Sequence, residues 1–359
     1  LSETRKIQKI GNTLYISIPK TWTDQLNLKH GEKITLVTQD GSISLYPKAG
    51  VARPREITLS LDRKSSRQSL KRGIIAAYLD GFDTIELKTD TAFNDDQQEA
   101  VRDTINSLFG LEVIEVTSNT IVIECLLKQK MPIDKTLNRI HKVIMSMFTE
   151  TVYALEMQNF DLIKGLRQRI QDCKRLSLVT NRLLRSTILF PQPSQADDIS
   201  LIDCVDYLQI LHLTSEITAN LKKIAANIVP LINHTLPKSV MTLMVDSSGN
   251  IKKLYNDSIQ ALLTKDIPLA NKILDTSFDL TNLWNLSLKT NEKSEISSLS
   301  LATIRLFIDS LEQIQKRAHE IANIAIDRTE AATARTTTRN PAPKTNPPIF
   351  TKKSKHNNH

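Results

Sequence analysis

Cysteine is scarce in this chain of 359 residues: Cys125, Cys173 and Cys204 are an odd and scattered set. They exclude a disulfide scaffold and a CxxC metal site, so a reducing cytoplasm is the expected compartment. Glycine is scarce too, with nine residues, which argues against folds built on many glycine turns. Aromatic residues are only 5%, a proportion that suits helical bundles packed with Leu and Ile. No apolar run reaches the ~18 residues of a membrane span. The opening residues LSETRKIQKIGN carry no hydrophobic signal-peptide core. The chain starts at Leu1 rather than Met, as expected of a processed or trimmed protein. Signatures of chemistry are missing as well. There is no GxSxG, P-loop or HExxH. His141, His212, His234 and His319 lack metal-ligand spacing, and Ser247 to Asn250 reads as a turn rather than a phosphate cradle. Asp95 and Asp96 suit the N-terminus of a helix. No enzyme and no cofactor is expected.

What is present is a globular composition, 40% apolar and 24% charged, with 47 Lys+Arg against 39 Asp+Glu. At roughly 100–200 residues per domain the length suggests two or three domains. The net charge of +8 is uneven. Residues 331–359 hold Arg335, Arg339, Lys344, Lys352, Lys353 and Lys355 with no acid, together with Pro341, Pro343, Pro347 and Pro348. Low hydrophobicity and interleaved proline predict a disordered basic tail. Such a tail serves either to raise affinity for nucleic acid by counterion release or simply to keep the chain soluble. Residues 1–50 carry a smaller excess, seven basic against four acidic residues.

The periodicities divide the chain into four stretches. Residues 5–47 read as strands with one short helix, capped at Thr21, and Asp40-Gly41 is a hairpin signal between two alternating runs. Residues 55–128 alternate in the order β-α-β-α-β-β, with helices over Ser65–Asp80 and Asn94–Phe109 and a strand pair across Ser118-Asn119. From Met131 to about Glu330 the apolar spacing is helical, as in Leu213, Ile217, Leu221, Ile224, Ile228 and Leu231. Pro230 and Pro237 are expected to flank a loop, and DSSGN (246–250) to interrupt a helical region. The programme runs twice. ALEMQNFDLIKGL (154–166) sets against ALLTKDIPLANKI (261–273), and NLKKIAANI (220–228) against SLEQIQKRA (310–318). This predicts two tandem three-helix units. The expected domains are 1–50, 51–130, 131–330 (split at about 235) and the tail 331–359.

Two stretches resemble known families. Gly11-Asn12-Thr13, the strand Leu14 to Ile18, Ile18-Pro19-Lys20, Leu26-Asn27-Leu28 and Gly31-Glu32 follow the pattern of the AbrB/MazE/SpoVT swapped-hairpin family. One copy of that fold is too small to bury a core alone, so the resemblance implies an interleaved homodimer that presents basic strands and loops to DNA. The positions it points to are Arg5, Lys6, Lys9, Asn12, Thr13 and Lys20. Arg and Lys there suit phosphates, and Asn12 suits a base edge.

The helical half resembles the PhoU family of tandem three-helix repeats. In that family the third helix of each repeat carries an acidic pair four residues apart, neighbours on one helix face that bind metal ions together. Here the matching stretch is Asn220-Leu221-Lys222-Lys223-Ile224-Ala225-Ala226, so Lys222 and Ala226 stand at the acidic positions. In the second repeat Glu312 is retained and Lys316 replaces its partner. Ammonium groups repel a cation from such a cluster, so no metal is expected. An alternative register pairs Glu216 with Asn220 but loses the leucine–isoleucine frame. The lysines read either as an anion site or as a solvated helix face.

The expected whole is multidomain: an all-β swapped-hairpin domain, a small α/β middle domain and an all-α PhoU-like region. Its expected role is a cytoplasmic, DNA-binding transcriptional regulator of phosphate uptake, similar in arrangement to archaeal phosphate-uptake regulators. The PhoU resemblance implies a phosphate transporter or a sensor kinase as protein partner. The rival reading is an adaptor that dimerises through its hairpins, binds no DNA and regulates the transporter or kinase directly.

Overall fold

The computed structural model describes residues 3–39, 42–47, 54–62, 65–127, 132–189, 199–232, 236–293 and 295–339. The chain forms two compact units, one from residues 1–133 and 175–208, the other from 134–174 and 209–359. All three boundaries fall inside helices, so a cut of the sequence at residue 130 does not separate the units.

The first unit opens with strand β1 (Gln8–Ile10) paired antiparallel to β2 (Thr13–Tyr15). Gly11 makes the turn at φ +61°, a left-handed conformation that glycine adopts without a Cβ penalty. Helix α1 (Lys20–Gln25) follows Pro19, which sits in the cap position without a side-chain cap bond. The expected cap at Thr21 is therefore displaced: the cap position falls two residues earlier and Thr21 lies inside the helix. Strands β3 (Ile34–Gln39) and β4 (Ser42–Pro47) pair from Ile34↔Pro47 to Gln39↔Ser42. Their expected Asp40-Gly41 turn lies outside the described residues.

A second, four-stranded sheet follows in the order β5-β6-β8-β7. Strands β5 (Glu56–Leu61) and β6 (Thr84–Thr89) are parallel and are joined through helix α2 (Arg67–Leu79). Helix α3 (Asp95–Asn106) leads to the hairpin of β7 (Leu111–Val116) and β8 (Thr120–Cys125). Both helices start on local chemistry. Ser66 accepts from the Ser69 amide, and Asn94 and Gln97 form a reciprocal capping box. Leu70, Ile74 and Tyr78 of α2 and Ala100, Val101 and Ile105 of α3 close over Ile85, Leu87, Ile121 and Ile123 of the sheet.

The end of helix α5 (Leu166–Leu189) completes this unit. Arg182 is buried, donates to the Tyr78 carbonyl at 2.5 Å, and lies 3.5 Å from Asp83. Arg175 stacks on Phe109, and Arg185 pairs with Asp80. Gly81 (φ +84°) permits this packing, since a Cβ there would stand 2.7 Å from the Ser186 hydroxyl.

The second unit is helical. Helix α4 (Ile133–Glu156), a 3-10 turn (Phe160–Ile163), the start of α5 and helix α6 (Leu201–Ile232) from Gln209 onward make its first repeat. Helices α7 (Lys238–Thr264), α8 (Ile267–Leu274), α9 (Thr281–Glu292) and α10 (Ser298–Arg339) make the second.

The repeat is written into backbone geometry as well as letters. Gln158 and Lys265, which match in the alignment of 154–166 with 261–273, end their helices at φ +50° and +57°. The next residues, Asn159 and Asp266, each send their amide to the matching alanine carbonyl (Ala154, Ala261) at 3.0 Å and cap the following turn. Leu155 and Leu262, and Leu166 and Ile273, are buried in register. Phe148 and Tyr255 also match, and their rings stack 6.1 Å apart between the two repeats.

Two local expectations change. DSSGN (246–250) does not interrupt a helix but lies inside α7. Met244, Ser248, Ile251 and Tyr255 form a buried stripe through it, the Ser248 hydroxyl bonds back to the Met244 carbonyl, and burial of that stripe overrides the weak helix propensity. Pro230, two residues before the end of α6, and Pro237, in the cap position of α7, flank the connection between these helices as expected. Helix α10 continues to Arg339, past Ala331 where the tail was expected to begin. The rest of the tail, 340–359, lies outside the described residues.

Candidate nucleic-acid interface

The β1–β2 hairpin and the start of α1 position the residues singled out for DNA. Arg5 and Lys6 precede β1, Lys9 is its middle residue, Asn12 and Thr13 follow the Gly11 turn, and Lys20 opens α1. All six are exposed. Pairing of Lys9 with Leu14 and of Ile10 with Thr13 sets faces: directly paired residues share a face and neighbours alternate. Lys9 and Thr13 therefore lie on opposite faces of the hairpin, and a flat surface cannot use both. Arg5 pairs with Glu3 at 2.6 Å, a local competitor for phosphate that the sequence pattern did not flag.

The apolar residues of this segment are uncovered, in keeping with a fold too small to bury a core alone. Ile7, Ile10, Leu14, Ile16, Leu36 and Ile43 are each at least 60% exposed in the single chain. Among the described residues of 3–47, only Pro19 is buried. The alternation that makes these strands is present, but none of the described residues covers them.

The helical positions lie elsewhere. Lys222 and Ala226 line an open groove of about 560 Å³ between residues 163–171 and α6. Its floor is Ile170, Ala225 and Val229, its rim includes Lys164 and Arg167, and no carboxylate is among its described lining residues. That lining does not fit the multivalent cation that a PhoU-like third helix implies, because its cations oppose one and it offers no anionic ligand. On α10 Glu312 and Lys316 sit one turn apart and exposed. Glu216, the alternative ligand, is engaged by Arg317 of α10. Among the described residues no group of three or more His, Cys, Asp or Glu can hold a metal ion.

Buried polar groups cluster deeper in the same unit. Burial pushes the Cys173 thiol up to about 11 and the Tyr255 hydroxyl well above its ordinary range. Burial also lowers His141, whose ring lies 5.3 Å from that of Tyr255. A thiol held so far from ionisation is packing rather than a nucleophile.

Residues 7–52 match the family model of MazE, a bacterial antitoxin described as antidote-toxin recognition. This segment is a MazE-like, AbrB-type domain. No curated protein matches the chain. Among solved structures, the chain is similar to PhoU from Pseudomonas aeruginosa at 15% identity and a TM-score of 0.49, over 55% of this chain and 96% of that one. It is also similar to the phosphate transport system regulatory protein PhoU from Streptococcus pneumoniae, at 11% identity and a TM-score of 0.48, over 56% of this chain and 94% of that one. Among the described residues no helix is long and apolar enough to cross a membrane.

Proposed function

We propose that the chain is a cytoplasmic DNA-binding transcriptional regulator of phosphate uptake. Its MazE-like domain forms a homodimer and holds DNA, and its helical unit takes the input signal or binds a protein partner. One observation carries the reading: an exposed basic hairpin with uncovered apolar strands is joined, in one chain, to a self-contained tandem helical repeat. Six large apolar side chains left in water are a strong drive toward a second copy, at about 1.5–3 kcal/mol each when buried. Doubling the hairpin also doubles the positive charge offered to phosphates. The phosphate assignment follows the PhoU-like pattern of the helical repeats, and the expected partner is a phosphate transporter or sensor kinase.

The adaptor reading, in which the hairpins only dimerise, is favoured by the Arg5–Glu3 pair and by the opposed faces of Lys9 and Thr13. An electrophoretic shift separates the two. DNA from upstream of phosphate-transport genes is titrated with the full chain at two stated salt concentrations. A salt-sensitive shift, stronger for that DNA than for an unrelated fragment, is expected. No shift at low salt with an intact dimer rejects the DNA reading in favour of the adaptor.

A further inference from the structure

We propose that the groove between residues 163–171 and α6 is a docking site for an extended, acidic and apolar segment of a partner protein. This deepens the partner-binding reading of the helical unit by naming the chemistry of the partner.

The occupant is indicated by the internal repeat. Ala225 and Val229, on the groove floor, match Gln315 and His319 of α10 in the alignment of 220–228 with 310–318 extended by one residue. In the second repeat that face is covered. The second helix is broken there, and the segment Asp275 to Leu280 between α8 and α9 runs without regular structure. Gln315 holds this segment at both polar atoms of Phe278, accepting from its amide at 2.9 Å and donating to its carbonyl at 3.4 Å. The His319 ring meets the Thr276 carbonyl at 2.8 Å. Leu280 is buried, Phe278 is half-buried, and Asp275 and Asp279 face solvent. In the first repeat the matching stretch is part of the continuous helix α5, and the matching positions of α6 are the short side chains Ala225 and Val229. A face that one repeat covers with its own extended acidic–apolar segment is thus left open, as a groove, in the other.

Charge selects the same ligand. Arg167 and Lys222 are exposed on the rim with no ion-pair partner among the described residues, while Lys164 pairs only with Asp161 beside it. An apolar floor under a basic rim favours an apolar segment that also carries acids, and it disfavours a basic one. The chain's own C-terminal tail, six basic residues and no acid from 331 to 359, is therefore the wrong occupant.

The test uses the full chain and a fluorescein-labelled peptide of sequence ILDTSFDLTN, identical to residues 273–282, followed by anisotropy. Saturable, salt-sensitive binding is expected. Arg167→Glu with Lys222→Glu is expected to weaken it about tenfold or more. Ala226→Trp, which fills the groove at an exposed position without changing charge, is expected to do the same. If the double variant does not fold, Ala226→Trp alone decides. The double variant should still shift DNA, so loss of peptide binding is separable from failure of the DNA reading.

The proposal is overturned by absence of saturation at ~1 mM peptide, or by equal binding to wild type and to the folded groove variants. It is also overturned if inorganic phosphate displaces the peptide at lower concentration than the peptide itself binds, which makes the groove a small-anion site. Binding to phosphatidylglycerol vesicles that is lost in the same variants, without peptide binding, overturns it in favour of a membrane surface.

Discussion

The MazE-like segment and the helical unit solve the same problem in opposite ways. Each is built from a motif too small to cover its own apolar face. The helical unit carries the motif twice in one chain, and the repeats cover each other, down to the stacked rings of the matching residues Phe148 and Tyr255. The hairpin segment carries its motif once and leaves Ile7, Ile10, Leu14, Ile16, Leu36 and Ile43 in water. Duplication inside the chain makes one region self-sufficient; lack of it leaves the other with uncovered apolar strands. On the reading proposed above, doubling of the uncovered region creates the symmetric, basic surface for DNA.

The largest effect expected from breaking this comparison is on the helical side. Phe148→Ala removes a fully buried ring between the repeats and should lower the unfolding free energy by ~3–5 kcal/mol. Denaturant titration checks it, and the oligomeric state should not change. On the other side, Leu14→Asp should dissociate the homodimer at micromolar concentration in sedimentation, because it charges a position whose burial is worth about 1.5–3 kcal/mol per chain. The helical unit should melt as before. A dimer that survives Leu14→Asp and a second charge at Ile16 would place the self-association outside the hairpins.

A third comparison separates affinity from assembly. Replacing Arg5, Lys6 and Lys9 together by Ala should leave the dimer intact and lower the slope of log K against log salt by about 0.9 for each phosphate no longer neutralised. Because Arg5 is already paired with Glu3, its share should be the smallest of the three. Unchanged affinity and slope would favour the adaptor reading.

The smaller effects belong to the interior of the bundle. Burial depresses the proton affinity of His141 in the folded state. The unfolded chain then binds the extra proton first as pH falls. The stability this histidine supports is complete above its ordinary value of about 6.5 and is lost as pH drops below it. His141→Gln should flatten the fall in melting temperature between pH 7.5 and 5. Smallest of all is the response to chelator. With Lys222, Ala226 and Lys316 at the positions where acids would be needed, prolonged dialysis against EDTA should leave the thermal melt unmoved, and elemental analysis should find no stoichiometric metal.

Much of this was legible in residues whose effect is local. Gly11, Ser66, Asn94 with Gln97, and Gly81 act through backbone φ or a hydrogen bond within three or four positions, so turns and helix starts follow from the letters around them. The repeat was legible because its apolar spacing is short-range, with Leu155 matching Leu262 and Leu166 matching Ile273; the caps at Asn159 and Asp266 emerged from the structure. DSSGN misled because each of its residues alone favours a turn. Burial of Met244, Ile251 and Tyr255 against the other helices outweighs that preference, and such burial depends on residues distant in sequence. The ion pair of Glu216 with Arg317 is invisible in the sequence for the same reason.

By itself, the sequence determined the order of the elements, the β-hairpin segment, the α/β sheet, the doubled helical programme and the absence of acids at Lys222 and Ala226. Each of these depends on residue type and short-range spacing. Only the tertiary structure decided that the end of α5 belongs with the sheet, where Arg182 is buried beside Tyr78 and Asp83. It alone decided that one repeat covers a face of its third helix while the other leaves a basic groove. Such outcomes depend on which surfaces, far apart along the chain, meet and exclude water, and the free energy of that meeting is a property of the pair rather than of either partner.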